Sequence, residues 1–210
     1  MKLYYFPVSV NSIKPLLVIQ HTGASVERAI LDPAKGEHKQ SWYLAINPNG
    51  LAPSLVDGDL SLWESNAIMQ YLCSKASSQT LWPSDPAGQA DVSRWQSWQL
   101  SCWGPACGTL VFQNMVKVLF GDTSGPDPVK VADATEQFHK YATVLNNHLV
   151  GRDWVVGDGV TLADLALAPF LGFMVPGKIP AEGYPEVLRW LANVEQLPAW
   201  QATTPQMPGS

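Results

Sequence analysis

Three short stretches carry residues that could hold or activate a small anionic ligand. Ser9 lies in Pro7-Val8-Ser9-Val10-Asn11-Ser12, where an aromatic run from Lys2 to Phe6 gives way to an apolar helical pattern. A hydroxyl there stands just ahead of a helix N-terminus, whose free N–H groups and partial positive charge favour anions. It can donate a hydrogen bond to a bound thiolate. A free thiol has a pKa of roughly 8.5, so only about 3% is thiolate at pH 7. Lowering that pKa by about two units takes about 2.7 kcal/mol. One charge-assisted hydrogen bond supplies about 1.5–3 kcal/mol and a helix dipole about 0.3–1, so together they suffice.

The second stretch is Asn47 to Leu72, NPNGLAPSLVDGDLSLWESNAIMQYL. Glu64 and Ser65 open a helix there, and Ser65 can add its hydroxyl to the helix terminus in holding a carboxylate. Pro53 donates no backbone hydrogen bond, so a strand entering at Pro53 leaves its edge open to an extended peptide. The third stretch is Gly36-Glu37-His38-Lys39, whose two adjacent basic side chains can hold a carboxylate by charge-assisted hydrogen bonds. Each feature also has an ordinary reading. Ser9 is then a turn serine, Ser65 a helix cap, Pro53 a loop end, and His38–Lys39 a solvated loop.

The elements that must position these residues follow from pattern. Lys2 to Phe6 reads as a short strand. Ile13, Leu16 and Leu17 fall at helical spacing, and Gly23 is a natural C-terminal stop. Pro15 is tolerated only in a first turn, so the helix is expected to start near Asn11 or Ser12 with one of them as cap. Val26 to Leu31 is a second strand, and the segment through Trp42-Tyr43-Leu44 a second helix. Asp57-Gly58-Asp59 between Leu55-Val56 and Leu60-Ser61-Leu62 is a hairpin signal. Ile68, Tyr71 and Leu72 mark the apolar face of the helix that follows. The order strand, helix, strand, helix, strand, strand, helix predicts a thioredoxin-like domain with a mixed sheet, α/β in class.

After Thr80-Leu81-Trp82-Pro83-Ser84-Asp85-Pro86 the β signals stop. The reading is a domain over 1–80, a linker over 81–87 and an all-helical domain over 88–210. Gln89 to Phe120 is one long helical pattern that Gly104-Pro105 should kink. Ala134, Phe138, Tyr141, Leu145 and Leu149 mark another helix. Thr161 to Asp164 is a capping box with Asp in place of Glu, structural rather than catalytic, leading into a core helix over 162–173. Tyr184 to Val194 is a further helix, and the Pro-rich tail from Thr203 is expected to fray.

The string Asn-Pro-x-Gly, Pro53 before a hydrophobic strand, Asp-Gly-Asp, then Glu-Ser-x-Ala-Ile-x-x-Tyr-Leu resembles the glutathione-binding half of the glutathione transferase superfamily. Tyr-x-x-Pro-x-Ser at the end of the first strand resembles its serine-type, theta- or phi-like, cytosolic classes. The resemblance implies that Ser9 stabilises the thiolate of glutathione, a co-substrate, for attack on an electrophilic and apolar small molecule. It implies a cis peptide at Pro53, backbone pairing of Ala52 with the cysteinyl part, and capture of the γ-glutamyl end by Glu64 and Ser65. It gives the glycine carboxylate to His38 and Lys39. Ser12 is second choice for the activating role and Tyr5 a minor rival. Leu51 departs from the pattern, since many relatives carry Gln or Lys there. The helical domain would supply the electrophile pocket, with Trp98, Cys102, Trp103, Cys107 and Phe112 on the helix that lines it. A homodimer is implied, and the same fold used as a non-catalytic binding module is the alternative.

Composition bounds this reading. Apolar residues make up 46% and charged residues 15% of 210, as in an ordinary globular chain. The net charge of −5 and the lack of a basic run argue against nucleic acid. No apolar stretch is long enough to span a membrane, and the N-terminus lacks a signal-peptide core. Three cysteines, Cys73, Cys102 and Cys107, form no CxxC pair, which favours a reducing, cytoplasmic compartment and no metal.

Overall fold

The structure, a computed structural model, describes residues 1–76 and 80–203. Thr203 ends a described helix, and the rest of the tail expected to fray lies outside the described residues. The chain divides into two compact units, Met1–Trp82 with the segment from Leu197, and Pro83–Gln196.

The first unit is built on four strands, β1 (Lys2–Tyr5), β2 (Glu27–Ile30), β3 (Ser54–Asp57) and β4 (Leu60–Trp63), in the order β2-β1-β3-β4. β1 and β2 are parallel; β1 with β3 and β3 with β4 are antiparallel. The crossover between the parallel strands is helix α1 (Val10–Thr22), and the Asp57–Leu60 hairpin turns through Gly58 at φ 58°. Helix α2 is short (Ser41–Leu44) and follows a single 3₁₀ turn, Glu37–Lys39; α3 spans Ser65–Lys75. Leu3, Leu17, Leu31, Leu55, Ile68, Met69 and Leu72 are completely or almost completely buried and form the core. Each such side chain contributes about 1.5–3 kcal/mol. On α3 the buried face runs through Ile68, Met69 and Leu72, while Tyr71 turns aside and donates to Asp57 Oδ2 at 2.7 Å.

Helix α1 departs from expectation in two ways. It begins at Val10, with Ser9 as its N-cap residue, so Pro15 falls in its second turn. The Ser9 carbonyl accepts from the N–H groups of both Ser12 and Ile13, which closes the first turn ahead of where the proline alone would place it. The helix is also buried continuously from Ser12 to Ile19 rather than along one face. It packs against α3, and the chain's last described helix (Pro198–Thr203) returns to pack on it too. By contact, the helix Pro198–Thr203 groups with the first unit, whereas the expected helical domain runs over 88–210.

The second unit is helical. One continuous helical path runs from Pro86 to Leu119 and contains two π turns, Gln99–Trp103 and Phe112–Val116. The expected break at Gly104-Pro105 is absorbed by the first of them. Its wider spacing accommodates the N–H that proline lacks. Pro128–His148 is the next long helix, and Asp127 caps it. The capping box forms as expected. Thr161 accepts from Ala163 N, and buried Asp164 receives donors from Thr161 N, Thr161 Oγ1, Val155 N and Trp190 Nε1 at 2.8–3.0 Å. Burial pushes the Asp164 carboxyl up, and these donors pull against it. The core helix beyond it is α-helical only over Leu162–Leu167 and continues as 3₁₀ from Ala168 to Phe173, because Pro169 cannot donate to Leu165. Pro185–Glu195 is a further helix. No described helix is long and apolar enough to cross a membrane.

Candidate active site

Strand register brings the candidate residues to one end of the sheet. β1 and β3 pair as Tyr4↔Ser54 and β3 and β4 as Ser54↔Trp63. Continued by two residues and by one, these registers set Phe6 beside Ala52 and Glu64 beside Pro53. The turn carrying Ser9 leaves β1 at that same end, tied back by Ser9 N donating to Phe6 O at 3.1 Å. Two helix N-termini, those of α1 and α3, open there as well.

Ser9 is half-buried, and its side chain makes no capping hydrogen bond although it occupies the cap position. Its hydroxyl is therefore not spent on the helix it precedes. Ser12 is the opposite case: fully buried, with its Oγ accepting from Phe6 N at 3.2 Å. Tyr5 ends β1 and lines a separate cavity of about 160 Å³ with Leu16, Arg28 and Ala202.

The Ala52–Pro53 peptide is cis. The loop before it is held from beneath. Tyr43 Oη donates to Leu51 O at 2.6 Å, and Asn47 Nδ2 donates to the same carbonyl at 2.7 Å. Ser54 Oγ completes the cluster, 2.8 Å from Tyr43 Oη and 3.1 Å from Asn47 Nδ2. Among the described residues, Ala52 takes part in no backbone hydrogen bond outside regular structure. β3 itself is flanked on both sides, so the open strand edge expected at Pro53 is absent, and Ala52–Pro53 lies ahead of the strand.

Glu64 is exposed and holds φ 72°, ψ 112°, a conformation that favours glycine. Such a residue stores about 1–3 kcal/mol of strain and is common where a side chain must be aimed. It turns the chain sharply into α3, placing its carboxylate outside and Ser65, 4% exposed, at the first helical position. The first N–H groups of α3 have no intrahelical acceptor and face the same end.

His38 and Lys39 sit in the 3₁₀ turn. The His38 ring stands edge-on to Phe6 at 5.5 Å, so packing sets its orientation. Lys39 lies over Gly50. A Cβ there would come within 2.9 Å of Lys39 Nζ and of the His38 carbonyl, so only glycine, at φ 59°, permits this approach. The pair is thus joined to the loop that leads to Ala52. Leu51 is 62% exposed.

Lys14 lies outside the candidate residues read from the sequence. It is fully buried in α1, and its Nζ reaches Ser65 Oγ at 3.4 Å. Burial lowers its pKa to about 7, against the opposing pull of Glu64. Its sequence signal was present: between Val10 and Gln20 it is the one charged residue in an otherwise apolar and uncharged run.

In the helical unit, Trp103 is buried, donates to Leu167 O and packs on Phe138, so it belongs to the core. Cys107 is buried too, and burial pushes its thiol well up. Trp98 and Cys102 are half-buried and Phe112 is half-exposed. Among the described residues no cluster of His, Cys, Asp or Glu could hold a metal.

A thioredoxin-like sheet domain followed by helices, with a cis-proline loop and two helix N-termini at one sheet end, is the architecture that the structure defines. Comparison with known proteins narrows it. Residues 1–74 match the family model "Glutathione S-transferase, N-terminal domain", and residues 114–198 match "Glutathione S-transferase, C-terminal domain". Glutathione S-transferase 3 of Zea mays is 36% identical over 215 residues, covering 99% of this chain and 95% of that protein. The crystal structure of glutathione transferase F7 from Populus trichocarpa superimposes with a TM-score of 0.88 at 28% identity, over 96% of each chain. A glutathione S-transferase I bound with lactoylglutathione gives 0.88 at 27% identity, over 98% of this chain and 99% of that one. The chain belongs to the glutathione S-transferase family, and its plant relatives fit a phi-like enzyme.

Proposed function

We propose that this transferase activates the thiol of glutathione with Ser9 and directs the thiolate at an electrophilic, apolar small molecule. The observation that supports the reading is the Ser9 hydroxyl, which makes no capping hydrogen bond and lies in the turn leaving β1 at the sheet end where the register extends to Phe6 opposite Ala52. The tripeptide would lie across the sheet end. Its γ-glutamyl carboxylate meets the Ser65 hydroxyl and the α3 N-terminus, and its ammonium meets the Glu64 carboxylate. Its cysteinyl backbone pairs with Ala52 ahead of Pro53. Its glycine carboxylate meets His38 and Lys39, without help from the apolar Leu51 side chain. The thiolate then accepts from Ser9 Oγ near the positive end of α1. In the chemical step the sulfur lone pair forms a bond to the electrophilic carbon, whose leaving group departs with the bonding electrons. No metal takes part. We read the enzyme as a cytosolic homodimer that needs neither nucleic acid nor membrane.

The test is an ultraviolet difference titration of the glutathione thiolate on the protein across pH. Thiolate forming near neutral pH supports the reading. Glutathione that binds but ionises only near its solution pKa, or that fails to bind, makes the fold a binding module instead.

A further inference from the structure

Lys14 has no part in the scheme above, yet it is the ionisable side chain placed directly under it. Its ammonium carries three donors and no acceptor. When charged, it can only donate to Ser65 Oγ, 3.4 Å away, and the Ser65 proton must then point elsewhere. When neutral, the amine has a lone pair and can accept that proton, drawing the hydroxyl inward. Ser65 is itself nearly buried at the first position of α3, so its hydroxyl has few other directions to turn. Lys14 thus controls whether Ser65 presents a donor or an acceptor to the sheet end.

We propose that Lys14 is a positioning residue for the γ-glutamyl carboxylate: its charged form turns the Ser65 hydroxyl outward as a donor, and seating the carboxylate draws a proton from solvent onto Lys14. This rests on the glutathione site proposed above.

The surrounding charges agree. Of the ionisable groups on elements packed against α1, Glu64 at the head of α3 acts on Lys14, and it favours the proton. Tyr71 and Lys75, further along α3, are engaged with Asp57, and Cys73 is a buried thiol in the same helix. The helix Pro198–Thr203 carries no ionisable side chain, and on α1 itself His21 lies at the far end. Glu64 alone does not offset burial, so in the free protein Lys14 titrates at about 7. A bound carboxylate adds a second anion on the Ser65 side, nearer than the ligand's ammonium, which pairs outside with Glu64. Both protonation states are therefore populated near neutral pH, and the ligand selects one.

The experiment is calorimetric titration of S-methylglutathione, whose blocked thiol cannot ionise, into the wild type and Lys14→Met. Buffers of different ionisation heat then give the net proton uptake. At pH 7.5 the wild type is expected to take up about 0.8 proton more than Lys14→Met, and its Kd to rise about eight-fold between pH 6.5 and 8. The ligand's own amine contributes to both proteins and cancels in the difference. Equal uptake in the two proteins overturns the proposal. A wild-type Kd that is flat from pH 6.5 to 8 overturns it as well, whether or not Lys14→Met folds. Failure of the wild type to bind S-methylglutathione at any pH instead removes the glutathione site itself, and this inference with it.

Discussion

Replacing Ser9 with Ala separates catalysis from folding, because the Ser9 hydroxyl is not used by the fold. A serine at a helix cap usually contributes about 1 kcal/mol through its hydrogen bond to the first turn. Here that bond is absent, so Ser9→Ala should change stability by less than about 0.5 kcal/mol. The hydroxyl's work is expected at the ligand. One hydrogen bond to a charged sulfur is worth about 1.5–3 kcal/mol, which is about one to two units of thiol pKa. The titration of bound glutathione should therefore move up by that much in Ser9→Ala. Turnover of an aryl halide at pH 7 should fall at least about ten-fold, with glutathione affinity nearly unchanged. The assay is the thiolate difference titration paired with steady-state kinetics and a denaturant melt. A normally folded Ser9→Ala with unchanged thiol ionisation and unchanged turnover refutes the assignment. Ser12→Ala is the matched control. Its loss strands the Phe6 N–H, which Ser12 Oγ now accepts, so it should cost about 1–3 kcal/mol of stability and leave the thiol titration in place. If the two variants behave the other way round, the activating hydroxyl is Ser12.

Other expectations follow from named contacts. Glu64→Gly relieves the positive φ and should raise stability by about 1 kcal/mol in a denaturant melt, while weakening glutathione binding through loss of the carboxylate. Asp164→Ala leaves four buried donors unmatched and should cost about 3 kcal/mol or more, with the thiol titration of the surviving folded protein unchanged. Lys14 sets a pH dependence of stability. Its folded pKa of about 7 lies below the ordinary lysine value of 10.5, so the unfolded chain binds more protons between those values and stability rises with pH there. Between pH 7 and pH 9 the wild type should gain about 2 kcal/mol relative to Lys14→Met, and equal slopes in the two melts would reject the shifted amine.

The sheet and its connections were legible because their signals are local. Asp57-Gly58-Asp59 dictates a hairpin, and an aromatic run followed by an apolar helix dictates a strand and crossover. Glu64-Ser65 announced the head of α3 for the same reason, although nothing in the sequence shows that Glu64 must adopt a positive φ. The start of α1 was misplaced by two or three residues because the proline rule bounds where a helix can begin, and the bifurcated bonds to Ser9 O decide where it does.

Lys14 went unread for a deeper reason. Helical periodicity finds the face that packs on a core, and it assumes that another face meets water. α1 is covered on more than one side, by α3 and by the returning C-terminal helix, so the polar face that would exempt a lysine does not exist. The return of residues 198–203 is a long-range event with no local signature, and it changes the expected environment of a side chain more than 180 positions earlier in the chain. A charge in a helix buried on more than one side is costly, so it persists where something repays it. The partner within reach is Ser65, the residue assigned to the ligand's carboxylate. The signal that periodicity discards as an exception is therefore the one that leads to the site: a single cation in an apolar stretch of α1, beside Ser65 at the N-terminus of α3.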